Sequence, residues 1–138
     1  MASTVPFKLI TPTQVVFEGE AQLVIAVTTE GEEGILPKHA PFLAALKPGV
    51  LRANVGADGA TRLELATGEG FMQALPDRVT VLVDDALRFE DVDVAKTREE
   101  LAAATERQKA AAGDAAAYGR EQAAIDFAGA KLRLTGHH

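Results

Sequence analysis

The chain reads as a mainly β protein with an α-helical tail: a sandwich or barrel of short strands over residues 1–90, then an antiparallel two-helix hairpin over 91–138. Three observations predict this. Up to Glu90, β-branched and apolar runs recur between Gly, Pro and Asp turn signals, at the spacing of a sandwich or barrel. From Val92 to Leu134 alanine makes up about a third of the residues, proline is absent and helix formers dominate. Within that helical stretch, Gly113-Asp114 supplies a left-handed stop followed at once by a fresh N-cap.

Taken in order, Ala21 to Thr28 is apolar on both faces and suits a buried strand. Gly49 to Val55 and Arg62 to Thr67 flank Gly56-Ala57-Asp58-Gly59, whose glycines permit the positive φ of a hairpin turn. Gly70 to Leu75 leads through Pro76-Asp77 into Arg78 to Val83, where Val79, Val81 and Val83 alternate onto one face. The strands are expected to end near Leu87 to Phe89. Asp91 or Asp93 then caps the first helix, with Arg107 and Lys109 near its negative end. Large apolar residues are sparse in both helices: Val94 and Leu101 in the first, and Tyr118, Ile125, Leu132 and Leu134 in the second, with Phe127 on a different side. Alanine seams bury little area, so docking is expected to be weak, giving either a hairpin that undocks or a stable antiparallel pair. The closing Gly136-His137-His138 has the composition of a tag remnant and is set aside from the fold reading.

Composition narrows the function classes. With 138 residues and 47% hydrophobic content the chain can bury a core of its own. It has no cysteine, which excludes disulfides and thiolate metal sites and fits a reducing cytosol. No basic segment precedes a long apolar run at the N-terminus, and no stretch approaches the roughly 20 apolar residues that cross a bilayer, so neither a leader nor a span is expected. The net charge of −6 disfavours nucleic acid. Residues through Glu90 carry 12 acidic against 7 basic side chains, a balance of −5, so the acidity belongs to the first part. Its densest cluster is Glu30, Glu32 and Glu33 around Gly31, which is either a docking surface or a solvated turn.

Catalytic constellations are missing. Ser3 is the only serine, and His39 is the only histidine outside the terminal pair, so no Ser-His-Asp arrangement can form. One internal histidine is too few for a zinc site. The Gly-rich runs GEEG, GADG and GEG match no phosphate-cradling motif. Carboxylate pairs such as Asp84-Asp85 sit in turns, with no apolar pocket evident to separate their pKa values. An interaction protein remains, either part of an assembly or an autonomous module that senses a nucleotide.

Over essentially its whole length the chain resembles the epsilon subunit of bacterial F-type ATP synthases. The matching blocks are FKLITPTQVVFEGEA, EGEEGILPKHAPFLAALKPGVLR, RVTVLVDDALR and VDVAKTREELAAATERQ. That resemblance implies a ten-stranded N-terminal β-sandwich and a C-terminal two-helix domain. It implies a non-catalytic rotor subunit at the cytoplasmic face of the bacterial membrane, bound to the gamma subunit and seated on the c-subunit ring, with no cofactor of its own. By position, Glu30, Gly31, Glu32 and Glu33 would face the ring, Glu32 foremost. Lys38, His39, Ala40 and Pro41 would face gamma, with Pro37 and Pro41 holding the loop in one shape. The alternative for His39 is a loop histidine bonded to nearby backbone.

In this family the hairpin either folds beside the sandwich or extends into the head, where basic residues meet acidic segments of the beta subunit and block ATP hydrolysis. Arg107, Lys109, Arg120, Lys131 and Arg133 would serve here, contacting alpha and beta subunits when extended; otherwise they are a solvated helix surface. Some members bind ATP through an (I/L)DxxRA motif and arginines of the second helix. Here Val92-Asp93-Val94-Ala95-Lys96-Thr97 keeps the aspartate but puts Lys96 for arginine, and Phe127 and Lys131 stand where arginines would be expected. Lysine lacks the guanidinium fork that holds phosphate bidentately, so an ATP site at Asp93, Lys96 and Lys131 is expected to bind little or nothing.

Overall fold

A computed structural model describes residues 3–137. Nine strands lead into two helices: β1 (Val5–Thr11), β2 (Gln14–Thr28), β3 (Gly31–Ile35), β4 (Phe42–Leu46), β5 (Gly49–Val55), β6 (Thr61–Thr67), β7 (Gly70–Leu75), β8 (Arg78–Val83) and β9 (Ala86–Leu87), then α1 (Val94–Ala110) and α2 (Ala115–Leu134). A short 3-10 turn, Phe89–Asp91, joins the two parts.

The strands form a sandwich whose layers share β2. Its N-terminal half pairs with β1, and its C-terminal half lies between β3 and β5. One layer runs β1, β8, β7, β4; the other adds β5, β6 and the short β9 beyond β2. Strand pairs are antiparallel except β1 with β8. Among the described residues there are nine strands, against the ten expected from the family resemblance. Gln14–Thr28 stays unbroken for 15 residues where it changes neighbours and layer, taking up the turn with a register shift between Ala21 and Leu23.

Alternation fills the interior. Val5, Phe7 and Leu9 of β1 point inward to meet Leu51, Ala53 and Val55 of β5, Leu63 and Leu65 of β6, Met72 and Ala74 of β7, and Val79, Val81 and Val83 of β8 in one core. The β5–β6 hairpin closes over Gly56 and Gly59, at φ of 94° and 69°, with Gly59 N–H bonded to the Gly56 carbonyl at 3.0 Å. Such φ values cost a side chain but not glycine. Gly70 is required for space: a Cβ there would meet the Leu82 carbonyl oxygen of the neighbouring strand.

Asp93, and not Asp91, caps α1, accepting from Lys96 N–H at 3.0 Å. Gly113, at φ 99°, ends the first helix, and Asp114 caps the second by accepting from Ala117 N–H. At the far end Gly136, at φ 79°, donates to the Arg133 carbonyl and His137 N–H to that of Leu132, the paired bonds of a Schellman stop. Gly136 and His137, set aside in the sequence reading, therefore form part of the helix terminus. His138 lies outside the described residues.

The hairpin is docked, with α2 against the outer face of β5 and β6. Ala66 records this. It alternates out of the core between Leu65 and Thr67, yet is fully buried. Little of the hairpin is buried: α2 buries Ala128, Ala130, Lys131 and Leu132, and α1, which packs mainly on α2, only Thr97 and Ala104. Tyr118, expected in the apolar stripe, is 47% exposed.

Candidate functional site

Three regions carry the residues singled out from sequence. The acidic turn between β2 and β3 is built by Thr28, whose hydroxyl donates to the Gly31 carbonyl at 2.7 Å and accepts from Glu30 N–H at 3.1 Å. Gly31 takes φ 122°, open only to glycine without strain. The carboxylate of Glu32 reaches across β2 to Arg52, at 2.8 Å, and so is oriented rather than free. Among the described residues no basic side chain lies within ion-pair distance of Glu30 or Glu33. The turn is thus a net-negative tip with one carboxylate held in place.

The loop from Leu36 to Pro41 is a tight turn. Pro37 presets its first corner, Lys38 occupies the second at φ 64°, and His39 N–H closes it on the Leu36 carbonyl at 3.2 Å. His39 Nδ1 lies 2.6 Å from the Ala40 carbonyl, and its ring stands edge-on to Phe42 at 5.8 Å. A carbonyl only accepts, so Nδ1 carries the proton, and Nε2 of the neutral ring remains an acceptor. His39 is therefore bonded to nearby backbone, a geometry that still leaves its outer nitrogen for a partner.

From this loop the chain enters β4, and here the structure adds a feature. Leu43, Phe71 and Leu82 are 71%, 59% and 47% exposed. Registers align Ala45 with Phe71, Phe71 with Leu82 and Leu82 with Ile10, a row crossing β4, β7, β8 and β1 on the outer face. Leu43 lies on the same face, two residues from Ala45. An apolar row of this kind marks an interaction surface. The signal in sequence was the apolar residue at both alternating positions of FMQAL and RVTVLV, which does not say which face is buried. The row lies on the layer away from the hairpin, so both surfaces can be occupied together.

The third region is a cleft of about 350 Å³ where the sandwich, α1 and α2 meet, lined by Asp85, Leu87, Asp91, Asp93, Lys96, Glu100, Phe127 and Lys131. It brings together the three residues of the expected nucleotide site, but in an unfavourable state. Asp93 is engaged as a helix cap, and Lys131 Nζ is bonded to Glu100 Oε2 at 2.8 Å. Asp85, Asp91, Asp93 and Glu100 outnumber Lys96 and Lys131, so the lining opposes a polyphosphate. Of the other basic residues, Arg107 pairs with Glu121 at 2.6 Å and Lys109 with Glu106 at 3.3 Å, both largely exposed. Arg133 is exposed, as is Arg120, which lines a second cleft together with Glu69 and Asp84. Partial desolvation of a side chain that is still exposed, and then the charge of Asp85, push the Asp84 carboxyl above its ordinary value.

Residues 4–89 match the family model of the ATP synthase delta/epsilon chain β-sandwich domain. The ATP synthase epsilon chain of Chromobacterium violaceum is 39% identical over 126 residues, covering 91% of this chain and 89% of its own. That of Thioalkalivibrio sulfidiphilus is 35% identical over 134 residues, covering 97% and 94%. A chain in a cryo-EM structure of the Euglena gracilis mitochondrial ATP synthase, an OSCP/F1/c-ring assembly, superposes with a TM-score of 0.78, covering 97% of this chain and 82% of that one. At 20% identity that likeness speaks for the fold alone. With a family model over most of its sandwich and relatives matching nearly end to end, the chain belongs to the ATP synthase epsilon-chain family, a non-catalytic subunit of the central stalk.

Proposed function

We propose that residues 1–90 form a docking domain that binds the gamma subunit and rests on the c ring, coupling ring rotation to the catalytic head, and that residues 91–138 form a regulatory domain. The observation that carries this reading is the apolar row of Leu43, Phe71, Leu82 and Ile10, continuous with the turn of Lys38, His39, Ala40 and Pro41. An apolar centre beside a polar, preshaped loop is the anatomy of a protein interface. Gamma covers the row and the His39 loop; the Glu30–Glu33 tip meets polar loops of the ring, where complementary charge sets register and encounter rate. No helix among the described residues is long and apolar enough to cross a membrane, so attachment at its cytoplasmic face goes through these partners.

The hairpin regulates by leaving the sandwich. Extended into the head, it contacts the alpha and beta subunits, offers Arg107, Lys109, Arg120, Lys131 and Arg133 to acidic segments of beta, and restrains ATP hydrolysis. In the docked form four of these are exposed and Lys131 is buried, so Lys131 becomes available only on opening. The cleft does not act as an ATP sensor, since its carboxylates outnumber its free cations.

A pull-down with the gamma subunit tests the docking: retention of the full chain is expected, and failure to bind would overturn the reading. Removal of everything after Phe89 should raise ATPase activity of the reconstituted head; unchanged activity counts against the inhibitory role. Calorimetry should detect no ATP binding at micromolar concentrations, and a micromolar Kd would refute the reading of the cleft.

A further inference from the structure

Two ion pairs join the helices, one at each end of the hairpin. Near the turn, Arg107 meets Glu121 with the arginine side chain 58% exposed. Beside the sandwich, Lys131 meets Glu100 at 2.8 Å with the lysine only 7% and the glutamate 44% exposed. Lysine is rarely buried unless paired. This one lies between the buried Ala130 and Leu132, in the cleft it shares with Asp85 and Leu87 of the sandwich, with Nζ also 4.7 Å from the Phe127 ring centre. Asp85, Asp91, Asp93 and Lys96 border the same cleft, and none of them is bonded to Lys131.

We propose that Lys131 and Glu100 form a latch that holds the hairpin closed on the sandwich. Docking α2 carries the Lys131 ammonium out of water along with its apolar neighbours. That step is tolerable only where α1 presents the Glu100 carboxylate to meet it. The docking of α2 therefore depends on the placement of α1, and undocking both hydrates Lys131 and uncovers Ala66 of β6. The distal Arg107–Glu121 pair has no such leverage, because its arginine is solvated in either state.

The test is amide exchange on the full chain alone, so its outcome is separate from the partner assignments above. In Glu100→Ala, amides of Ala128, Ala130 and Leu132 should exchange about tenfold faster, with those of Phe7 and Leu65 unchanged. Alanine is the better helix former, so acceleration cannot come from lost propensity in α1. In Glu100→Ala/Lys131→Met the charge is gone and the unbranched stem is kept, and exchange should return to within about threefold of the parent. Glu121→Gln, the distal control, should shift the same amides less than about twofold. The latch is overturned if Glu100→Ala leaves the rates unchanged, if the double variant stays as fast as the single, if Glu121→Gln acts as strongly, or if Phe7 and Leu65 accelerate in step.

Discussion

The sandwich and the hairpin hold themselves together by different means. Inside the sandwich, Phe7, Leu9, Ile35, Leu51, Leu65 and Met72 are fully buried among valines supplied by both layers. In the hairpin the buried side chains are Ala104, Ala128, Ala130, Leu132, Thr97 and Lys131. At about 25 cal/mol per Å², the first set supplies far more stabilisation than the second. A body with a dense core keeps its shape under load, as the proposed coupling role would require. An arm held by small side chains and one half-buried ion pair is, on the reading proposed above, able to leave its seat while the body stays intact.

The comparison breaks most sharply in the core. Leu65→Ala should cost about 2–5 kcal/mol in denaturant unfolding, more than any single truncation in the helices. Next is the outer face of the same sandwich. Phe71→Glu should leave stability within about 0.5 kcal/mol, since the side chain is mostly exposed, yet weaken gamma binding by calorimetry about a hundredfold. A smaller effect is expected at the hairpin turn. Gly113→Ala forces a side chain into φ 99° and should cost about 1 kcal/mol, seen as loss of helical circular dichroism before the sandwich melts.

The smallest effect concerns pH at the seam. Asp84 has its pKa raised by partial desolvation and then by Asp85, so the folded state holds that proton more tightly than the unfolded chain does. Its ionised form therefore costs stability above the folded pKa, and the cost fades as pH falls through that pKa toward the ordinary value of 3.8. Asp84 is largely exposed, so water screens the effect: Asp84→Asn should raise Tm by no more than about 1 °C at neutral pH, and the gain should fade as pH falls toward 3.8.

Much of this was legible in the residues. Gly56-Ala57-Asp58-Gly59 announced the β5–β6 hairpin, alternating valines announced β8, and Gly113-Asp114 announced the break between helices, because each is a local preference the backbone cannot evade. What depends on tertiary neighbours was not. The turn of β2 from one layer to the other, which leaves nine strands, is a matter of pairing. The outward aim of Phe71 and Leu82 depends on which face the second layer covers. Lys131 reads as a solvated helix cation until Glu100, 31 residues away, is brought beside it. The part of His137 in ending α2 is likewise invisible until its N–H is seen bonded to the Leu132 carbonyl.

The central claim, a firm docking body with a releasable arm, is tested most directly by native-state hydrogen exchange across the whole chain. Amides of Phe7, Leu65 and Val81 should exchange only through global unfolding, while those of Ala128 and Leu132 exchange through an opening that is cheaper by about 2 kcal/mol or more and little affected by denaturant. Equal protection of the two sets, with the same denaturant dependence, would contradict the account.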